Sequence, residues 1–470
     1  MGNDIPKRFV PAMIASACIA VPAWAFEMEM GSVTINDTFT VPTWTSVSFL
    51  DAFDTRPIVL VLPTNQGSDP ATVRVRNVTT TGFEVLQVEP NANDGPHVAM
   101  NTSYLAIEPG DHVLADGTRI AALEVSTTAF ASRFISVTWQ GVSFPTPFSA
   151  APALVTQIQT MANETGTPPA TSSIPFLDVG VQNLGPASFD VTLERAESIA
   201  GLIAYPERIG IVAIDSGTNY TFVDSFNTSV QLQALATPDN ITGWGNGCIV
   251  NNYPVAFTAT PLSVASQTRR DGNNGGWIRR CSESATGLGL TVDEDIDNDS
   301  ERNHTTEAAG IIAASAAFHA NFDVDLTVQK SFTTISDPIN GGSGPLSIPQ
   351  AIIEYRVAVE NRGSISPDDS SLTVVDVLPD ELAVCVTAAC LAGGPVVLDD
   401  SGSPVPSGVT IGLVEYSDDG GASYSYSPVP DADGFDPLVN AVRVTLNGTF
   451  SSISTSGPPS FELVLAARVE

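Results

Sequence analysis

The 470-residue chain reads as an all-β protein, a tandem array of antiparallel β-sandwiches. Three observations predict that class. Apolar and polar residues alternate with period two, as in Phe189-Asp-Val-Thr-Leu193, Ile353-Glu-Tyr-Arg-Val-Ala-Val359 and Val442-Arg-Val-Thr-Leu446. Such strands bury one face and wet the other. Clusters of Gly, Pro, Asn and Asp, including 37 Gly and 34 Pro, punctuate these runs as turns. The same succession of strand landmarks also recurs three times along the chain.

Charge narrows the partners. Asp and Glu number 52 against 19 Lys and Arg, giving a formal net charge of −33. Charged residues make up only 15%, below the roughly 25% of an average domain, so the imbalance comes from missing bases. Nucleic acids and anionic membrane surfaces are therefore excluded as partners. The 43% hydrophobic content rules out a disordered acidic tail.

Taken from the N-terminus, residues 1–25 read as a secretory signal peptide. Lys7 and Arg8 precede an apolar stretch from Phe9 to Val21, and Ala23-Trp24-Ala25 is a small-x-small cleavage site that leaves Phe26 first. The stretch is short of the ~20 residues that span a bilayer, and no later run is long enough, so membrane insertion is not expected. The protein is expected to be secreted or held at the cell surface. Loss of the leader removes Cys18 and leaves Cys248, Cys281, Cys385 and Cys390. An even count in an exported chain suggests disulfides. Connectivity is open from sequence; the simplest pairing is Cys248–Cys281 within one domain and Cys385–Cys390 across a tight turn.

The repeat comes next. Phe49-Leu-Asp-Ala-Phe53 precedes Pro57-Ile-Val, Phe144-Pro-Thr-Pro-Phe148 precedes Pro152-Ala-Leu-Val, and Tyr253-Pro-Val-Ala-Phe257 precedes Pro261-Leu-Ser-Val. A second landmark follows in each unit, at Phe83-Glu-Val, Phe189-Asp-Val and Leu288-Gly-Leu. A third closes it, at Tyr104-Leu-Ala-Ile, Ile211-Val-Ala-Ile and Ile311-Ile-Ala-Ala. Shared order argues against chance, and it assigns the Ala-rich stretch Thr305–Ala320 to strand although its composition suits a helix. These landmarks resemble the H-type lectin family, over about 26–320. The resemblance implies six-stranded antiparallel sandwiches that trimerise and bind sugars, so three tandem units could pack as an internal pseudo-trimer. The units expected are 26–116, 117–217 and 218–322.

From about Val324 the repeat stops. Leu326-Thr-Val-Gln-Lys330-Ser, Tyr355-Arg-Val-Ala-Val-Glu-Asn361-Arg-Gly363 and Val374-Val-Asp-Val-Leu-Pro379 resemble the Ig-like repeats of bacterial surface proteins. That resemblance implies a stalk or spacer over 323–470. Lys330 is the one lysine after the leader. An isopeptide bond to Asn361 or Asn447, helped by Asp376, is conceivable there; the plain reading is a strand lysine.

Candidate site residues follow from the same comparison. His97 and His304 each lie seven residues before the closing landmark, and Glu307 matches Glu207 and Met100. A sugar needs planar donors and acceptors with an aromatic face for its C–H side. By position in the family pattern, Asp51, Arg76 and His97 would supply these in unit one, and Trp277, Arg280, His304 and Glu307 in unit three. The plain alternative is that the histidines orient a strand edge. The acidic run Asp293, Asp295, Asp297, Asp299 and Glu301 could converge on Ca²⁺, which takes six to eight oxygens. It is not an EF-hand, because Ser300 stands where the turn glycine belongs, and a solvated loop tethered by Arg302 is the plain reading. No G-x-S-x-G elbow, P-loop or H-E-x-x-H occurs, so an enzyme is not expected. The function expected is surface recognition or adhesion with glycans or cell-surface components as partners. The alternative is a self-assembling structural part of a surface filament, pilus tip or surface layer.

Overall fold

The computed structural model describes residues 14–18, 26–37, 43–90, 97–133, 137–164, 175–195, 197, 202–298 and 300–470. The chain is all-β and forms two compact units, one holding the three repeats and the other holding the C-terminal region together with a strand β1 (Ile14–Cys18).

Each repeat is a sandwich built on two sets of three strands, joined in repeat two by the short parallel strand Phe130–Ala131, and the landmarks fall on matching strands. Repeat one contains β2 (Glu27–Ile35), β3 (Thr45–Ser48), β4 (Ile58–Val61), β5 (Thr72–Arg76), β6 (Gly82–Val88) and β7 (Met100–Ile107). Repeat two contains β8 (Arg119–Thr127), β9 (Gln140–Ser143), β10 (Ala153–Ile158), β11 (Asp178–Gln182), β12 (Ser188–Glu194) and β13 (Glu207–Ile214). Repeat three contains β14 (Ser229–Ala236), β15 (Ile249–Asn252), β16 (Leu262–Gln267), β17 (Trp277–Ser284), β18 (Gly287–Asp293) and β19 (Ala309–Ala314). One sheet of each places the closing strand between the first strand and the Pro-led strand: β2–β7–β4, β8–β13–β10 and β14–β19–β16. The other centres on the Phe-x-Val or Leu-x-Leu strand: β3–β6–β5, β9–β12–β11 and β15–β18–β17. Thr305–Ala320 is strand where described as regular structure, at Ala309–Ala314 and in Phe318–Asn321.

The aromatic-x-x-x-Phe motif now has a physical reason. Its two rings meet edge to face under each sandwich, with centroids 4.9 Å apart for Phe49–Phe53, 4.8 Å for Phe144–Phe148 and 5.0 Å for Tyr253–Phe257. Such pairs contribute about 0.5–1.5 kcal/mol beyond their buried area. The proline after them opens the next strand, where a missing N–H leaves no ladder bond unmade.

The repeats close into a ring. β4 packs on β13, β10 packs on β19, and β16 packs on β7. Gly310 permits the β10–β19 approach, since a Cβ there would stand 2.1 Å from the Leu154 carbonyl oxygen. One apolar core runs through all three repeats and includes Met30 and Leu105 of the first, Val155 and Val212 of the second, and Leu232 and Ile312 of the third. The linkers close the ring a second time, by backbone pairing. Gly110–Val113 follows repeat one and pairs with β8 of repeat two, and Thr218–Val223 follows repeat two and pairs with β14 of repeat three. Phe318–Asn321 follows repeat three and returns to pair with β2 of repeat one. The expected boundaries at 116 and 322 therefore leave two of these linker strands with the repeat they follow, whereas their hydrogen bonds belong to the next one round.

The second unit contains β20 (Leu326–Ser336), β21 (Ile352–Asn361), β22 (Thr373–Val377), β23 (Leu382–Cys385), β24 (Val396–Asp399), β25 (Val409–Ser417), β26 (Ala441–Gly448) and β27 (Ser460–Val469). One sheet runs β20–β21–β27–β23 with β24 also on β27; the other runs β1–β22–β26–β25. Alternate residues of β21, Ile353, Tyr355, Val357 and Val359, face the core and are fully buried, as their period predicts. The disulfides are Cys248–Cys281 in repeat three and Cys385–Cys390 after β23. Of the leader, only β1 is among the described residues; the cleavage site at 23–25 lies outside them. No described helix is long and apolar enough to cross a membrane.

Candidate functional site

The histidines predicted from the repeat occupy equivalent places, but as braces. The loop after each Pro-led strand is held from the segment that precedes the closing strand. His97 lies against Gly67, where a Cβ would stand 2.7 Å from Nε2, and His304 lies against Gly272, where a Cβ would stand 2.4 Å from Nε2. Burial lowers both imidazole pKa values and keeps the rings neutral. In repeat two, where Ala204 replaces the histidine, the Asn163 side chain accepts the Ala204 N–H at 2.8 Å. The matching position four residues before the landmark does the same work with two chemistries, a carboxylate and a thioether. Glu307 accepts the N–H groups of Asp271 and Gly272, Glu207 accepts those of Ala162 and Asn163, and the Met100 sulfur accepts that of Thr64. Burial pushes the Glu307 carboxyl up to about 8, and its oxygen stands 3.7 Å from His304 Nδ1.

Trp277 is likewise structural. Its ring is buried against Phe176 and its Nε1 donates to Ala71 O at 2.9 Å, so it offers no exposed face to a sugar. Asp51 accepts the adjacent Ala52 N–H on an exposed turn, and Arg76 pairs with Glu84 while stacking on Trp44 at 3.8 Å. Asp51, Arg76 and His97 thus each have other partners. The reason is physical: the pattern fixes strand positions, while the side chains there are taken up by loop and strand-edge hydrogen bonds.

Among the described residues of the acidic run, carboxylates are engaged by arginines and backbone amides. Asp293 is buried between Arg279 and Arg302, which donates from Nε and Nη2 at 2.8 and 2.9 Å. The Asp295 carboxylate accepts the N–H groups of Glu197 and Asp297, and Glu301 accepts that of Asn303. Asp299 lies outside the described residues, and Asp297 is half-buried. Among the described residues no group of His, Cys, Asp and Glu is arranged to hold a metal ion. Arginines and backbone donors already neutralise the carboxylates that Ca²⁺ would need.

Lys330 does not reach an asparagine. Its Nζ donates to Asp376 at 2.5 Å and lies 4.5 Å from the Tyr355 ring centroid, both partners being buried. The Asn361 amide instead donates to the carbonyls of Ile365 and Ser451. Asp376 has its pKa pushed up to about 6 by burial, against the pull of Lys330.

Arg280 lines an open concavity. A pocket of about 270 Å³ lies between repeats three and one, walled by Ser32, Thr34, Asn101, Leu262, Arg280 and Glu283. The Arg280 guanidinium donates to Glu283 at 2.6 Å and to Asn101 O at 2.7 Å; Thr34 Oγ1 donates to Asn101 Oδ1 at 2.6 Å. Burial raises the Glu283 carboxyl, opposed by Arg280. The pocket thus offers a cation, a carboxyl, an amide and hydroxyls beside the aliphatic wall of Leu262. Asn101, Thr34 and Glu283 escaped the sequence reading because two repeats, some 180 positions apart, meet only in the closed ring. A wider polar groove of about 590 Å³ lies on the second unit, lined by Gln329, Glu360, Arg362, Asp399 and Glu462 among others.

No family model and no solved structure matches the chain. Among curated proteins it is similar to Halomucin of Haloquadratum walsbyi (strain DSM 16790 / HBSQ001), 24% identical over 353 residues, which cover 71% of this chain and 3% of that protein.

Proposed function

We propose that the chain is an exported cell-surface protein whose ring of sandwiches recognises carbohydrate at the junction of repeats three and one, with the Ig-like unit as a spacer. The observation that carries this reading is the Arg280–Glu283–Asn101 pocket. Its donors and acceptors are held by one another in fixed geometry, which is what orients vicinal hydroxyls. The resemblance of the landmarks to H-type lectins supports the ligand class. The ring supports it too, since it supplies inside one chain the three-fold packing expected of such sandwiches. The similarity to Halomucin and the leader at 1–25 support the surface location. A glycan array with the wild type and Arg280→Ala tests the reading. Binding that disappears in the variant sustains it.

A structural role is the second reading. The burial of His97, Trp277 and His304 favours it, because these residues hold the ring together and leave little recognition chemistry exposed. Silence of the wild type across the array, with the ring folded, selects this reading.

A further inference from the structure

We propose that the Cys248–Cys281 disulfide is a positioning device for the Arg280 pocket: it pins a bulge in β17 that turns Glu283 to the same side as Arg280. The two residues lie at i and i+3, so an unbroken strand would point them to opposite faces. The pairing of β17 with β18 avoids this. Arg280 stands opposite Leu290, Ser282 opposite Gly289 and Glu283 opposite Leu288, and Cys281 is the extra residue. Leu288 and Leu290 are core residues, and residues paired across strands share a face, so Arg280 and Glu283 both turn inward. There guanidinium and carboxylate meet at 2.6 Å and wall the pocket. The bulge's service to glycan binding rests on the reading of this pocket given above; the phase of the strand rests on geometry alone.

The equivalent strands of the other repeats show that the sandwich does not require this arrangement. Val75 of β5 and Val181 of β11 stand opposite Val85 and Val191, as Arg280 stands opposite Leu290, and both valines are core. β5 and β11 keep unbroken register and end at Arg76 and Gln182, where Asn77 and Asn183 turn the chain away at φ 51° and 54°. β17 instead continues past Arg280 to Ser284. Repeat three thus puts a cation where its neighbours put a valine and extends the strand to bring a carboxylate beside it. It is also the repeat that carries a disulfide.

That disulfide is placed to hold the bulge. Cys281 is the bulged residue itself and Cys248 immediately precedes β15, so the bond ties together the two strands that flank β18. Gly289 of β18 leaves room for it, since a Cβ there would stand 2.6 Å from the Cys248 sulfur and closer still to Ser282 Oγ. Without the tether a regular ladder competes. Slipping Cys281 onto Gly289 regains the pairing that the bulge forfeits and turns Glu283 from the pocket into water. Water also relieves the burial of a carboxyl whose side chain is only 10% exposed.

The test uses the full chain and carbodiimide-driven amidation of carboxylates with glycine ethyl ester, read residue by residue by mass spectrometry. Glu29, fully buried in repeat one, reports whether the ring stays folded. In the wild type both Glu283 and Glu29 should be protected. Cys248→Ser with Cys281→Ser removes the tether and keeps the extra residue; Glu283 should label roughly tenfold faster while Glu29 stays protected. Cys248→Ser with Cys281 deleted removes tether and extra residue together, which leaves Arg280 and Glu283 on one face of a regular strand, and Glu283 should be protected again. Protection of Glu283 in the untethered chain overturns the proposal, because the bulge then holds itself. Labelling in both variants overturns it too, because the disulfide is then a general staple. If the untethered chain exposes Glu29 as well, the deletion decides: a folded ring with Glu283 protected sustains the proposal, and an unfolded one overturns it. On a glycan array, binding should follow the protection of Glu283 across the three forms. Binding kept by the untethered chain while Glu283 is labelled overturns the positioning role. Silence of the wild type removes the glycan reading and leaves the strand phase to be decided by the labelling.

Discussion

The three junctions of the ring can be compared strand by strand, and they solve one problem in two ways. Arg74 of β5, Gly180 of β11 and Arg279 of β17 are equivalent, each opposite the residue after the Phe-x-Val or Leu-x-Leu core. Arg74 reaches forward from repeat one and pairs with Glu164 of repeat two through Nε at 2.5 Å and Nη2 at 2.7 Å. Arg279 reaches from repeat three into repeat one, donating to Thr64 O from Nε at 2.9 Å and Nη2 at 2.7 Å, with Asp293 as its counter-ion. At the remaining junction the direction is reversed. Gly180 leaves room, and Arg270 comes from repeat three to pair with Glu194 of repeat two. A buried guanidinium closes every junction, but the side that supplies it differs. Geometry is thus shared more strictly than residue identity.

The largest break should come at Arg279, which is fully buried. Arg279→Leu removes one of the two guanidinium partners of buried Asp293 and leaves the backbone oxygens of Thr64 and Asp69 without it, and removing one partner of a buried pair costs about 3–5 kcal/mol. Thermal unfolding should show that loss. If the variant unfolds like the wild type, the junction is not held by this arginine.

His319 sharpens the comparison at the second level of closure. It lies on the linker strand that returns to β2, where its Nδ1 is 3.0 Å from Glu29 Oε2; the other Glu29 oxygen accepts Tyr104 Oη at 2.6 Å. Burial alone would lower this imidazole, but Glu27 and Glu29 raise it to about 9, so the ring is protonated at neutral pH. The folded pKa exceeds the ordinary value of about 6.5. The stabilisation is therefore complete below about pH 6.5 and is lost as pH rises through about 9. His319→Gln should destabilise by about 2–3 kcal/mol at pH 6 and by much less at pH 10. A pH-independent difference in unfolding would break the assignment.

Gly180 is a smaller probe of the reversed junction. A Cβ there would stand 2.8 Å from the Thr192 methyl and 3.5 Å from Arg270 Cδ. Gly180→Ala should cost about 1–2 kcal/mol by overpacking. Combining it with Thr192→Ser, which removes that methyl, should cost less than the sum of the two single changes; simple additivity in denaturant unfolding would show that the contact is relaxed elsewhere.

These junctions mark where the sequence stopped being readable. The sandwich fold was legible because period two and the aromatic-x-x-x-Phe spacing are local, and the ring pair they encode closes within five residues. The disulfides were legible from cysteine scarcity and spacing. In the acidic run the tether from Arg302 was legible, but the burial of Asp293 and Asp295 was not, because Arg279 and the amide of Glu197 come from another strand and another repeat. Arg74 and Gly180 share no sequence signal, since a clamp whose direction reverses leaves no common residue to align. His97 and His304 were correctly matched to each other, but position alone does not tell whether a histidine faces a ligand or a glycine of its own loop.

Arg279 and Arg280 carry that distinction within two adjacent residues. Period two turns them to opposite faces of β17. Arg279 enters the junction, while Arg280 lies at the pocket with Glu283 and keeps 17% of its side chain exposed. The Arg280–Glu283 pair is partly buried, so losing one partner costs more than the about 0–1 kcal/mol of an exposed pair and less than the about 3–5 kcal/mol of a fully buried one. Arg280→Ala should therefore lower the unfolding midpoint less than Arg279→Leu does, while removing any glycan binding. A drop in stability as large as that at Arg279 would mean that the pocket is one more clamp. Recognition would then have to be sought outside this junction, since the neighbouring position already serves to hold the ring closed.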